Sequence, residues 1–155
     1  MAGKQAKVLS KDDVNDLLAF ARCTRNPVRN EVIVLLSAKA GLRAGEIANL
    51  TWDMVLDPRG HVGFTIELHN NAAKNGSGRV IPVHADLRRA LIAWREVSIN
   101  SGAVVRSERG GPMTALSIVV WFNKAFRTIG LRGCSSHSGR RTFITRAARA
   151  DRIGT

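Results

Sequence analysis

The sequence predicts a mainly α-helical domain of the α+β class, with several helices and one small antiparallel β-hairpin. Its 155 residues suit a single domain. Hydrophobic residues make up 45% of the chain and charged residues 23%, which is typical of a globular protein with a buried core. Most apolar residues recur at helical spacing, and only two short runs favour strands. We expect residues 1–9 to be a flexible N-terminal segment and residues 10–155 to form the domain.

The first two helices are predicted from their caps. Ser10 and Asp13 have the spacing of a capping box, so a helix should follow Ser10 and run to about Cys23. A second, more apolar helix covers about residues 30–40. It meets Gly41, the residue type that most readily adopts the left-handed conformation ending a helix. The apolar face of the first helix is formed by Val14, Leu17, Leu18 and Ala21.

The middle of the chain is predicted to hold a short helix and the hairpin. The short helix covers residues 44–50, and residues 57–60 (Asp-Pro-Arg-Gly) match a type I turn. Residues 62–68 and 79–83 favour strands and are separated by the polar, glycine-containing stretch 70–78. We therefore expect an antiparallel pair joined by a loop.

Three further helices are predicted in the C-terminal half. Apolar residues recur at helical spacing around residues 87–94 and, more strongly, over residues 118–129, where Thr114 is the expected N-cap. A last helix should begin near His137. Aromatic residues at this spacing most often belong to a core, so no functional role is assigned to Trp121, Phe122 and Phe126.

The net charge of +12 points to a polyanionic partner. Residues 106–155 carry ten basic and only two acidic side chains, so the positive charge is concentrated towards the C-terminus. A merely solvated basic surface would be rich in lysine with interleaved glutamate. Here arginine prevails, and its planar guanidinium is suited to phosphate.

Several other classes of protein are disfavoured. Cys23 and Cys134 are far apart and lie in no metal-binding spacing, so neither a disulfide nor a metal site is expected. No small-molecule cofactor is expected either. No apolar run approaches the ~20 residues of a membrane span, and residues 1–10 are too polar for a secretory signal. We therefore expect a cytoplasmic protein with no membrane partner.

Three separated features carry the chemistry-bearing residues. Residues 41–52 read Gly-Leu-Arg-Ala-Gly-Glu-Ile-Ala-Asn-Leu-Thr-Trp and include Arg43 and Glu46. Lys74 lies between the two predicted strands, and His137 and Arg140 stand at i and i+3 on one helix face. Taken singly, each has an ordinary explanation: an arginine near a helix end, a solubilising lysine and a surface pair.

Taken together and in this order, these features resemble the catalytic domain of the tyrosine recombinase (phage integrase) family over about residues 10–150. The resemblance implies DNA site-specific recombination by transesterification, with double-stranded DNA and possibly other recombinase subunits as partners. It implies that Arg43 and Arg140 bind the phosphate oxygens, that Lys74 protonates the departing 5′ oxygen and that His137 transfers a proton. Glu46 is implied to support the site. Preorganised cations suit this reaction, because negative charge builds on the phosphorus.

Two departures from the family pattern shape the expected function. The family more often has leucine where this chain has Gly139, and it uses a tyrosine nucleophile, whereas these 155 residues contain no tyrosine. We therefore expect a C-terminally incomplete catalytic domain that binds DNA without cutting it. Two alternatives stay open: a non-catalytic DNA-binding competitor or regulator of a complete recombinase, and a remnant whose exposed core makes it fold poorly.

Overall fold

The computed structural model describes residues 5–69 and 78–153, with side chains described up to residue 150. Within these ranges the chain forms seven helices and one two-stranded antiparallel sheet, which confirms the predicted fold class. None of the helices formed by these residues is long and apolar enough to cross a membrane. The elements are α1 (Lys11–Arg22), α2 (Pro27–Ala40), α3 (Ala44–Asn49), α4 (Trp52–Val55), β1 (Thr65–Leu68), β2 (Arg79–Pro82), α5 (Ala85–Val97), α6 (Ala115–Ile129) and α7 (Ser138–Ile153).

The predicted helix caps are confirmed. At the start of α1, the Ser10 hydroxyl accepts a hydrogen bond from the Asp13 N–H at 3.0 Å, and the Asp13 carboxylate accepts one from the Ser10 N–H at 2.9 Å. Gly41 has a φ of 70° and ends α2 in the left-handed conformation. The Thr114 hydroxyl accepts from the Ser117 N–H at 3.1 Å and so caps α6. Local sequence therefore determines where these three helices begin or end.

Two helices differ from the prediction. α2 begins at Pro27, three residues early, because proline is well suited to the first helical position, where its missing N–H is not needed. α4 was not predicted at all, since its four residues are too few to show a helical period. It is held by tertiary contacts: Trp52 is buried, and its indole N–H donates to the Ile99 carbonyl at 2.9 Å.

The two strands form the predicted antiparallel pair. Thr65 lies opposite Pro82, and Leu68 lies opposite Arg79. Ile66 and Ile81 face each other in the ladder, and both are buried. The stretch that joins the strands, residues 70–77, lies outside the described residues.

The first strand is shorter than predicted because the residues before it pair elsewhere. Val62 forms an isolated bridge with Leu56, and the Gly63 N–H donates to the Val55 carbonyl at 2.9 Å. The chain entering β1 is thus bound to the end of α4 rather than to β2. Only Thr65–Leu68 remain for the ladder.

The core is centred on α2, which is buried along most of its length and packs against α1, α5 and α7. A helix surrounded in this way is apolar on nearly all sides and shows no single hydrophobic face. Phe122 and Phe126 on α6 are core residues as predicted, and Trp121 is half-buried with its ring edge-on to Phe122. Other fully buried side chains include Leu17, Ile33, Leu36, Leu42, Ile47, Leu50, Ile66 and Leu87.

Helix α7 approaches the C-terminal half of α2 unusually closely, and glycines permit it. A Cβ atom at Gly139 would lie 2.8 Å from the carbonyl carbon of Ser37 on α2. A Cβ atom at Gly41 would lie 2.9 Å from Cγ of Phe143 on α7. Gly139, which departs from the family pattern, therefore allows the first turn of α7 to rest directly on the α2 backbone.

The segment before α1 packs along α7. Leu9 is buried, and its N–H donates to the Thr142 hydroxyl at 2.7 Å. The Lys7 N–H donates to the Gly133 carbonyl at 3.1 Å. Residues 1–9 were expected to be flexible from their polarity, yet residues 5–9 make these defined contacts. The apolar side chain of Leu9 and the buried hydroxyl of Thr142 account for the difference.

The substitution Gly139→Ala should destabilise the protein. We expect its free energy of unfolding to fall by about 1–3 kcal/mol, because the added methyl group must push α7 away from the α2 backbone. Urea unfolding followed by circular dichroism measures this change. Gly45→Ala is the matched control: Gly45 is likewise the second residue of its helix, and nothing lies within 4 Å of a Cβ there. An equal loss of stability in both variants would contradict the close-packing argument.

Candidate active site

Three arginines from separate parts of the chain surround one carboxylate, that of Glu46. Arg43 immediately precedes α3, and Glu46 lies in the first turn of that helix. Arg140 lies in the first turn of α7, and Arg79 is the first residue of β2. The site is thus assembled from the end of the α2–α3 connection, the hairpin and the last helix.

Glu46 links the helix start to the hairpin. Its Oε1 accepts a hydrogen bond from the Arg43 backbone N–H at 2.9 Å, which satisfies one of the free amides at the start of α3. Its two oxygens also accept a bidentate pair of hydrogen bonds from Arg79, with Nη1 at 2.7 Å from Oε2 and Nη2 at 3.1 Å from Oε1. A fork of this geometry is stronger and more directional than a single ion pair.

Arg140 is held from the other side by the end of α2. Its Nη1 donates to the Gly41 carbonyl at 2.8 Å, and the same nitrogen lies 3.9 Å from Oε1 of Glu46. The side chain is 24% exposed, so one side of it still faces solvent. The close packing of α7 on α2 therefore fixes where this guanidinium lies.

The electrostatics of the site show how closely the charges gather. Burial, and then the positive charges of Arg43 and Arg79, lower the pKa of Arg140, whereas Glu46 acts to raise it. Burial acts to raise the pKa of Glu46, but the hydrogen bonds from Arg79 and from the Arg43 N–H outweigh it and lower that pKa. Glu46 is therefore ionised at neutral pH. Three guanidinium groups share this single carboxylate, which leaves a net positive site.

His137 lies directly before α7, on the same turn of chain as Arg140. Its carbonyl accepts from the Arg141 N–H at 3.0 Å, and its own N–H donates to the Ser135 hydroxyl at 3.2 Å. The imidazole is exposed. The exposed side chain is thus accessible to a ligand approaching the start of α7.

The structure brings Arg43, Glu46 and Arg140 together as the sequence predicts, and it places His137 next to them in the chain. Lys74 lies outside the described residues, so its proposed role stays a prediction. Sequence reasoning missed Arg79, which it treated only as the start of a strand. No local pattern could have linked Arg79 to Glu46, which is 33 positions away. A basic residue opening the strand after the hairpin loop was the only signal.

The arrangement is suited to binding a phosphate group. Arg43 has an exposed side chain, and Arg140 presents a partly exposed guanidinium within the same electropositive region. Planar guanidinium groups match the spacing of phosphate oxygens. Among the residues that the structure describes, no three histidine, cysteine, aspartate or glutamate side chains are grouped so that they could hold a metal ion.

Solved structures of recombinases share this fold. The XerA recombinase is 20% identical, with a TM-score of 0.75 over 94% of this chain and 52% of its own. The Tn1549 transposon integrase in complex with transposon right end DNA is 21% identical, with a TM-score of 0.75 over 96% and 55%. The lambda integrase bound to DNA is 18% identical, with a TM-score of 0.72 over 92% and 51%. The chain thus spans about half the length of each of these proteins.

The family-level comparison is more extensive. No curated protein matches the chain in sequence. The model of the phage integrase family, however, matches residues 7–151, which include Arg43, Glu46, His137 and Arg140. The chain therefore belongs to the phage integrase family.

Proposed function

We propose that this chain is a DNA site-specific recombination domain, which binds duplex DNA and activates a phosphodiester for strand breakage and rejoining by transesterification. The observation that carries the proposal is the meeting of Arg140 with the α2–α3 connection that carries Arg43. Arg140 donates to Gly41, 99 positions earlier in the chain. Two guanidinium groups so far apart in sequence would not be gathered around one carboxylate for stability alone, since like charges repel.

The two arginines stabilise the transition state. Attack on the phosphorus adds negative charge to the non-bridging oxygens, and cations already held in place stabilise that charge without further reorganisation. Arg140 is held by the Gly41 carbonyl, and Arg43 by its position at the start of α3. Glu46 is the supporting residue, because it contacts both elements.

His137 and Lys74 are proposed to move protons. An imidazole titrates near neutral pH and suits either proton donation or proton acceptance. His137 lies one helical turn before Arg140 and is exposed, which supports this role. For Lys74, the family resemblance is the support, and the proposed role is protonation of the departing 5′ oxygen.

The nucleophile of the family's reaction is a tyrosine hydroxyl, and these 155 residues contain none. In the proposed reaction it is therefore supplied from outside them, for example by another recombinase subunit. The same observation favours a second candidate function, a non-catalytic DNA-binding protein that competes with or regulates a complete recombinase. Both candidates place the protein in the cytoplasm on double-stranded DNA.

The binding surface is expected to include the basic C-terminal third. Several of its cationic side chains are exposed, and the Tn1549 and lambda integrase structures were solved with DNA. Exposed cations attract the phosphate backbone independently of base sequence. The exposed members are Arg109, Lys124, Arg127, Arg132, Arg141 and Arg149.

Binding to duplex DNA should depend strongly on salt. If about six phosphates are contacted, the logarithm of the binding constant should fall with the logarithm of salt concentration at a slope of about −5. Fluorescence anisotropy of a labelled duplex, titrated at several salt concentrations, measures the slope. A slope near zero, or no binding at low salt, would contradict the proposed DNA partner.

Arg43 and Arg140 should act on one phosphate. Because one phosphate releases its counterions once, the double variant R43M/R140M should make the salt slope shallower by about 1. R59M, which alters an exposed arginine on the turn at residues 57–60, serves as the control for loss of a positive charge. A change of about 2 in the double variant would mean that the two arginines bind different phosphates.

The purified chain alone should form no covalent adduct with DNA. Cations stabilise a transition state but do not initiate attack, and the phenolic oxygen that this route needs is absent from the chain. The assay uses a labelled, nicked suicide substrate followed by a denaturing gel. A shifted band that survives denaturant and disappears with protease would identify another nucleophile here and refute the mechanism.

A further inference from the structure

Arg79 occupies Glu46 more completely than either arginine predicted from the sequence. It donates to both carboxylate oxygens, at 2.7 and 3.1 Å, and its side chain is 34% exposed. Arg140 approaches the same carboxylate only to 3.9 Å, which is beyond hydrogen-bonding distance. Among the described residues, the carboxylate is thus shared unequally between these two side chains.

We propose that Arg79 is a positioning residue, which binds Glu46 so that Arg140 stays available to phosphate. This inference rests on the proposed function. Glu46 is only 18% exposed, so water cannot fully satisfy it, and an unpaired carboxylate there would take the nearest cation. That cation is Arg140. A closed Glu46–Arg140 pair would neutralise the guanidinium and orient its N–H groups away from an incoming phosphate.

The residue type at position 79 follows from this role. A bidentate guanidinium satisfies both carboxylate oxygens at once, whereas a lysine ammonium acts as a point charge and leaves one of them less satisfied. The position follows as well. Arg79 opens β2 opposite Leu68, a buried residue of β1, so the strand ladder fixes its backbone.

A rescue experiment separates this role from a simple loss of positive charge. R79M should bind a short duplex about tenfold more weakly at fixed salt, because it loses one cation and Arg140 becomes paired. R79M/E46Q should recover most of that loss, since the neutral amide introduced by E46Q no longer captures Arg140 and its oxygen can still accept from the Arg43 N–H. R79M/E67Q is the matched control. Glu67 is an exposed acid on β1, and neutralising it restores the same net charge.

The two double variants give opposite expectations. Recovery with E46Q but not with E67Q supports the positioning role. Equal recovery with both would show that only net charge matters, and an unchanged affinity of R79M would show that Arg79 does not act on the site; either result overturns the inference. If R79M does not fold by circular dichroism, R79K replaces it, with an expected loss of about threefold that E46Q again reverses.

A second readout does not require DNA. The side-chain Nε–Hε resonance of Arg140, assigned with R140K, is followed by NMR while inorganic phosphate is added to the full chain. We expect it to respond to phosphate in the unsubstituted protein and in R79M/E46Q, but not in R79M. An equal response in R79M overturns the inference. A wild-type chain that responds to phosphate but does not bind duplex DNA would instead overturn the proposed function.

Discussion

The close contact between α7 and the end of α2 is the constraint on which the site depends. Glycine at position 139 lets the first turn of α7 reach the backbone of Ser37, and glycine at position 41 leaves room for Phe143. With α7 held there, Arg140 reaches the Gly41 carbonyl. That carbonyl belongs to the end of a helix, where such groups lack helical partners. Helix packing and placement of a functional side chain are therefore achieved by the same contact.

Charge in the site is balanced around Glu46. Three guanidinium groups would repel one another if no anion lay among them, and the lowered pKa of Arg140 reflects that repulsion together with burial. One carboxylate reduces the repulsion and still leaves net positive charge for a phosphate. Because Glu46 also binds the Arg43 backbone, the α3 start, the hairpin and α7 are coupled through one side chain.

The proposed chemistry divides naturally between activating groups and the attacking group. Everything identified in the described residues stabilises charge or, in the case of His137, could move a proton. Such groups lower the barrier only when a nucleophile is present. A domain of this kind can bind its substrate phosphate tightly while remaining unable to break the strand on its own, so DNA binding and strand breakage are separable properties of this chain.

Local sequence determined most of the elements of this protein. Ser10, Gly41 and Thr114 predicted helix ends because capping involves residues only a few positions apart, and apolar spacing predicted α5, α6 and the paired strands. The motif residues Arg43, Glu46, His137 and Arg140 could be named by resemblance because each lies within a short, recognisable pattern.

Only the tertiary structure decided what those residues contact. The four residues of α4 have no periodicity of their own and are held by the burial of Trp52. Leu9 is fixed by Thr142, far along the chain, so the polarity of its neighbours gave a misleading prediction. Arg79 joins Glu46 because strand pairing brings a distant segment to the start of α3. Contacts between residues tens of positions apart depend on how the helices and strands pack, and no local pattern encodes them.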